Sequence, residues 1–222
     1  MVRYFLVVLI FRKEITMTLE RQVKHSWILF GGPGSPKKEL AGVLETRGYH
    51  HVHIGDDLRN RTECPITMRA IERGKLVPDE IVLDLIAEKI PIPTPDQIVF
   101  TGLPRTVRQV NRLFRILKDC SHQVSVVMLD MDIEVANRNI LERSKHNERK
   151  DDKSQWVILE RHERFVAPKI KITSLLRRYC DFFHRIDANH KLDFVVASLL
   201  NIVISEEKKL EALQKGTELV TI

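Results

Sequence analysis

The sequence predicts an α/β fold in which a parallel sheet is flanked by helices. Three observations predict it. Apolar strand-like runs recur along the 222 residues, helical patterns lie between them, and a Gly-rich turn joins the first run to the first helix. Strands that alternate with helices in this way build parallel sheets covered on both faces. Ligands of such sheets sit at the carboxyl ends of the strands. The loops after Phe30 and Phe100 are therefore where function is to be sought.

The elements follow in order. Trp27–Phe30 is the first strand, and it runs into Gly31-Gly32-Pro33-Gly34-Ser35-Pro36-Lys37-Lys38-Glu39. The helical pattern Lys37–Arg47 comes next. Strand, Gly-rich loop and helix are the setting of a phosphate-binding loop, whose backbone N–H groups, Lys and helix N-terminus all favour phosphate. A plain Gly/Pro turn is the other reading of the same residues. Pro36 removes one N–H and fixes φ, although it suits the first position of a helix.

The second strand, His51–Ile54, leads into Gly55-Asp56-Asp57-Leu58-Arg59, readable as a capped turn with a solvated Arg59. Helix Thr67–Arg73 ends at Gly74-Lys75-Leu76-Val77-Pro78, and Asp79 is a candidate cap for helix Asp79–Ile90. The third strand, Gln97–Phe100, precedes Thr101-Gly102-Leu103-Pro104-Arg105-Thr106-Val107-Arg108-Gln109, which places Arg105 at its carboxyl end. Helix Val107–Lys118, strand Val124–Leu129 and helix Ile133–Arg143 follow. Arg138, Arg143, Arg149, Asp151, Asp152 and Arg161 crowd a segment poor in apolar residues, a pattern that by itself describes a solvated helix face. Helix Ser154–Arg178, a weaker strand near His184–Ile186 and helix Leu192–Val203 complete the set. Ser205–Lys215 reads as a charged, exposed helix.

Composition bounds the class. Hydrophobic residues make up 43% and charged residues 30%, which suits one soluble domain able to bury a core. The net charge of +6 favours an anionic partner, but the basic residues form no long block, so no nucleic-acid arm is expected. Cys64, Cys120 and Cys180 are widely spaced, with no disulfide framework, so a reducing compartment is the default. Met1–Phe11 is apolar but too short to span a bilayer, and no small-residue cleavage site follows it. It is expected to be a dispensable extension, with Met17 a natural alternative start. His51 and His53 share one face of their strand while His50 does not, and all three are expected to be structural or surface groups. No metal-ligating set is expected in the protein itself.

Taken together, the ordered motifs from about Trp27 to Val203 resemble the adenylate kinases within the nucleoside-monophosphate kinase family. The resemblance implies a three-layer P-loop nucleoside-kinase fold with small monophosphate-binding and lid lobes. It divides the chain into an extension (1–24), a kinase-like domain (25–204) and a tail (205–222). Within the domain, residues 54–85 form the acceptor lobe and residues 143–152 a short lid. Only Ser144–Lys150 separates Arg143 from Asp151-Asp152, and no Cys occurs there, so a zinc-bearing lid is excluded.

By the same resemblance, Gly32, Gly34, Ser35, Lys37 and Lys38 bind ATP, with Arg143 near its base or phosphates. Arg59 and Arg105 clamp the α-phosphate of the acceptor. Ile54, Gly74, Val77, Gly102 and Gln109 line the monophosphate site, and Gln109 matches the glutamine that reads adenine. Lys37, Arg105, Arg138, Arg149 and Arg161 surround the transferred group, and Asp151 and Asp152 pair with arginines as the lid closes. ATP and AMP are the implied nucleotides and Mg²⁺ the implied cofactor. A cytoplasmic monomer is expected.

Departures from the family pattern concentrate on the donor side. Pro36 stands where the last loop glycine belongs, and Lys38-Glu39 where a small residue and threonine are usual. Thr101 replaces an aspartate that orders magnesium-bound water, while on the acceptor side Ile54 replaces a threonine typical of adenylate kinases. Glu39 either supplies a magnesium ligand or repels phosphate. Two readings stay open: a working phosphotransferase, and an impaired kinase fold that binds nucleotide or serves as a scaffold.

Overall fold

A computed structural model describes residues 24–61, 63–90, 94–146 and 154–218. Its sheet has five parallel strands: β1 (Lys24–Gly31), β2 (His50–His53), β3 (Gln97–Thr101), β4 (His122–Asp130) and β5 (Phe182–Asp187), in the order β2-β3-β1-β4-β5. The central strand β1 is buried from His25 to Phe30, because helices cover both of its faces. The helices are α1 (Lys37–Glu45), α2 (Ile54–Asn60), α3 (Pro65–Glu72), α4 (Asp79–Lys89), α5 (Val107–Asp119), α6 (Ile133–His146), α7 (Gln155–Tyr179) and α8 (Leu192–Glu218).

Alternation along the strands sorts the side chains into two cores. On one face, Ile28, Phe100 and Val126 meet α4, α5 and α7 through Leu85, Leu113 and Leu176. On the other, Trp27, Leu29 and Val127 meet α1 and α8 through Leu40, Leu44, Val195 and Leu199. Right-handed crossovers between parallel strands bring every β–α loop to the same edge. The loops after β1, β2 and β3 thus meet above Leu29↔Thr101 and His53↔Thr101, the pairs that end the shared registers.

Three expectations need correction. The turn after β2 is a helix, α2, which starts directly at Ile54 and buries it. Asp79 does not cap α4, whose cap residue is Pro78 with no side-chain bond; its carboxylate binds Thr106 and Gln109 instead. Residues after 204 form no separate exposed helix, since α8 runs unbroken to Glu218 and buries Glu206 and Leu210. Glu206 can be buried because Lys209 Nζ donates to it at 2.9 Å and His184 Nε2 lies 3.4 Å away. The leader Met1–Phe11, Met17, Arg149, Asp151 and Asp152 lie outside the described residues. No helix among the described residues is long and apolar enough to cross a membrane.

A polar cluster is buried at the opposite edge of the sheet. His25 Nε2 lies 2.8 Å from the Ser125 hydroxyl, and the Ser26 hydroxyl 2.8 Å from His122 Nδ1. Burial lowers both imidazoles to a pKa of about 4, with His122 adding to it at His25 and Lys24 at His122. The folded state therefore disfavours a proton that the unfolded chain takes up near 6.5. The associated stability is complete above that value and is lost as pH falls towards 4. The loss at pH 5 is about 1–2 kcal/mol for each residue. His51, His162 and His184 are lowered too and act in the same direction. The melting temperature is expected to be lower at pH 5 than at pH 7 by on the order of 5–10 °C. Scanning calorimetry checks this, and the difference shrinks in the His25→Gln/His122→Gln variant.

Candidate functional site

The loop from Gly31 to Pro36 is shaped by contacts that need glycine. At Gly34, φ is +79° and an added Cβ would lie 2.3 Å from the Ala136 carbonyl oxygen. The Gly34 carbonyl accepts from Asn139 Nδ2 at 3.1 Å, which ties the loop to α6. Gly32 supplies a carbonyl to the Ser35 hydroxyl at 2.8 Å and to Lys37 Nζ at 2.6 Å. Lys37 Nζ also donates to Ser35 Oγ at 2.6 Å, so its ammonium folds back into the loop. Pro36 sits at the cap position just before α1, with no N–H to offer.

Pro33, Gly34, Ser35 and Lys37 line a cavity of about 240 Å³ at the carboxyl edge of β1, β2 and β3. Arg59 from α2, Arg105 from the β3–α5 loop, Arg143 from α6 and Arg161 from α7 join Lys37 there. Lys38 and Lys75 also line it, whereas Glu39 is the one carboxylate among the described lining residues. Burial pushes the Lys37 ammonium well below its ordinary pKa, and Arg105, Arg161 and Arg143 push it further, against only Glu39. A cluster of this kind is a strong anion attractor, since each guanidinium presents paired donors to phosphate oxygens.

The apolar end of the cavity is formed by Ile54, Ile71, Val77 and Val82, closed by Gly74 and Gln109. Gly74 has φ +65°, and a Cβ there would lie 2.7 Å from the Val157 carbonyl oxygen. Gln109 is 3% exposed and its amide is engaged at both ends. Its oxygen accepts from the Arg105 N–H at 2.7 Å, and its nitrogen donates to Asp79 at 2.8 Å. Each end keeps a second hydrogen or lone pair beyond these bonds. Arg105 Nε donates to the Gly102 carbonyl at 3.1 Å, which orients that guanidinium over the end of β3.

Of the residues expected from the sequence, Gly34, Ser35, Lys37, Lys38, Ile54, Arg59, Gly74, Val77, Gly102, Arg105, Gln109, Arg143 and Arg161 line this cavity. Gly32 contributes through its carbonyl only, and Arg138 is exposed on α6 outside the lining. Sequence reasoning missed His53 and Lys75. The signal for Lys75 is its place beside the left-handed Gly74. For His53 it is the cross-strand partner Thr101, whose identity a single strand does not reveal. Thr101 is fully buried, and its hydroxyl bonds His51 Nε2 at 2.8 Å and His53 Nδ1.

The Gly34→Ala variant tests the loop geometry. A left-handed alanine costs about 1–2 kcal/mol, and the contact with Ala136 adds to it. The expected result is a melting temperature several degrees lower, with anion binding weakened beyond what the lost stability explains. Calorimetry with inorganic pyrophosphate reads both effects.

Comparison with known proteins agrees with this architecture. The chain matches the family described as "AAA domain" over residues 30–159. It is 33% identical to the adenylate kinase of Parabacteroides distasonis over 140 residues, 59% of this chain and 73% of that one. It is 33% identical to the adenylate kinase of Thermus thermophilus over 142 residues, 61% and 74% of the two chains. With the adenylate kinase of Thermosynechococcus vestitus the identity is 30% over 158 residues, 65% and 81%. A phosphate loop after β1, an arginine-lined cavity above a parallel sheet and this similarity have one explanation: the chain belongs to the adenylate kinase-like kinase family.

Proposed function

We propose that the chain transfers the γ-phosphoryl group of ATP to a nucleoside monophosphate, with AMP the favoured acceptor. The observation that carries this reading is the convergence of Lys37, Arg59, Arg105, Arg143 and Arg161 on one cavity. Phosphoryl transfer between two polyanions requires positioned cations around the moving charge. Lys37 and the loop of Gly32, Gly34, Ser35 and Lys38 serve the donor phosphates. Arg59 and Arg105 clamp the acceptor phosphate, and Gln109 reads adenine. Arg161, with Arg138 and Arg149, closes on the transferred group, and Asp151 and Asp152 draw the lid arginines together. Residues 54–85 act as the acceptor lobe and residues 143–152 as the lid, whose closure excludes water and so favours transfer over hydrolysis. Three free cysteines suit a reducing compartment such as the cytoplasm, and a monomer carries the complete site.

Several donors near the cavity that could serve magnesium are already engaged by neighbours. The Thr101 hydroxyl is committed to two histidines, and Asp56 is shared by Lys38, His53 and Arg59. Glu39 is left as an exposed carboxylate on the cavity wall. Mg²⁺ takes one or two carboxylates together with substrate phosphates and water, so Glu39 fits as its single protein ligand. When bound, the cation would supply charge neutralisation at the donor phosphates.

A second reading, nucleotide binding without efficient transfer, draws on the donor loop. Pro36 offers no N–H, and Lys37 is held by Gly32 and Ser35. A coupled assay of ATP with AMP, CMP or UMP, with and without magnesium, separates the two. The expected result is turnover that is fastest with AMP and requires magnesium. A preference for UMP overturns the adenine assignment, and calorimetric AMP binding without turnover favours the second reading. Pro36→Gly restores one N–H to the phosphate cradle. It is expected to raise kcat by roughly 10-fold, equal to one hydrogen bond to a charged group. The KM for AMP should stay unchanged, because the acceptor residues are untouched.

A further inference from the structure

The Gln109 amide is held from two sides by groups that cannot exchange places. Thr106 and Gln109 form a capping arrangement at the start of α5. The Thr106 hydroxyl accepts from the Gln109 N–H at 3.2 Å, and the Gln109 side-chain oxygen reaches back to the Arg105 N–H at 2.7 Å. Such a cap uses the oxygen of a glutamine and leaves its NH₂ group without a partner. Here Asp79 supplies one. Its Oδ1 accepts from Gln109 Nε2 at 2.8 Å, and both of its oxygens lie 2.9 Å from the Thr106 hydroxyl. Gln109 is part of the cavity lining, whereas Asp79 stands behind it and is not.

An amide held in this way has one permitted orientation. Turned over, it would set its oxygen against the Asp79 carboxylate and its NH₂ group against the Arg105 N–H, and both contacts repel. The oxygen has two lone pairs and the nitrogen two hydrogens, so one of each remains unused. Gln109 is 3% exposed and belongs to the cavity wall, so the cavity is where that remaining pair finds partners. A base with an amino group beside a bare ring nitrogen matches it. The amino group donates to the oxygen, and the ring nitrogen accepts from the NH₂ group. A base with a keto oxygen beside a ring N–H presents the reverse pattern, so donor meets donor and acceptor meets acceptor. A glutamine amide free to turn over would serve both bases alike.

We propose that Asp79 is a positioning residue for base selection: by holding the Gln109 amide in one orientation, it makes the site accept amino-purines and reject keto-purines. This rests on the reading of the Gln109 end of the cavity as the acceptor-base site. The Arg105 N–H is a neutral partner, and the carboxylate adds the stronger, charge-assisted hold. Asp79 is not what keeps α4 on α5. Glu80 Oε1 lies 2.6 Å from Arg108 Nη1, and Val82, Leu85, Val110 and Leu113 share one core, so the two helices stay joined without it.

Two measurements on the full chain test this. Proton–¹⁵N NMR of the glutamine side-chain amides in the ligand-free protein, assigned with Gln109→Met, reads the hold directly. One Gln109 amide hydrogen is expected downfield of the ordinary range in the wild type and back within it in Asp79→Ala. Ordinary signals in the wild type overturn the proposal. Calorimetry then compares AMP with IMP, which carries a keto oxygen and a ring N–H where AMP carries an amino group and a bare ring nitrogen. The wild type should prefer AMP. Asp79→Ala should lower the AMP-to-IMP affinity ratio about 10-fold, the worth of one hydrogen bond to a charged group, with IMP bound no more weakly than by the wild type. Asp79→Asn should keep most of the preference, because its oxygen still accepts from Gln109 while its nitrogen donates to Thr106. A ratio unchanged in Asp79→Ala, or AMP and IMP weakened alike, overturns the proposal and leaves Asp79 a structural tie. An absence of heat from both nucleotides with the wild type counts against the acceptor-site reading instead, and the NMR result still decides whether Asp79 holds the amide.

Discussion

The arrangement of the whole site depends on one unfavourable fact: an ammonium and several guanidinium groups share one small cavity. Lys37 is half-buried beside Arg105, Arg143 and Arg161, and its preference for the charged form is sharply reduced. Its stay there is made possible by the Gly32 carbonyl and the Ser35 hydroxyl. Like charges held together in low dielectric repel strongly and attract an anion just as strongly. The stored repulsion is relieved by phosphate, which makes anion binding the natural completion of this structure.

The fold exists to hold those charges in register. Lys37 starts α1 directly after the β1 loop, and Arg105 follows β3, which pairs with β1. Asp79 then fastens α4 to α5 through Thr106 and Gln109, so the wall that carries Arg105 is fixed to α4. At the next strand, the His53↔Thr101 pair brings an imidazole to the corner near Arg59. What distinguishes the site is this redistribution. A hydroxyl and two imidazoles occupy the end of β3 and β2, and the exposed Glu39 carboxylate stands on the loop side.

The strands were legible because each is an apolar run bounded by turn signals, and the cationic loop ends could be placed from the strand–loop–helix order alone. What the sequence hid was mostly non-local. The seven-residue helix Ile54–Asn60 reads as a turn because it is short, polar and follows β2 without a break. Glu206 reads as solvated because a charged run conceals the two partners, Lys209 and His184, that allow its burial. Period-two alternation put His51 and His53 on one face, but their shared partner Thr101 depends on strand register. Likewise nothing local couples Gln109 to Asp79, thirty residues earlier in the chain.

The charge of Lys37 is the most direct measure of this account. Carbon-13 NMR of the labelled lysine side chains, with Lys37→Met to assign the signal, follows its titration with and without nucleotide. The account predicts a Lys37 pKa clearly below that of the other lysines in the free protein, rising when ATP or AMP fills the cavity. An ordinary lysine titration in the free protein, unmoved by nucleotide, would contradict it.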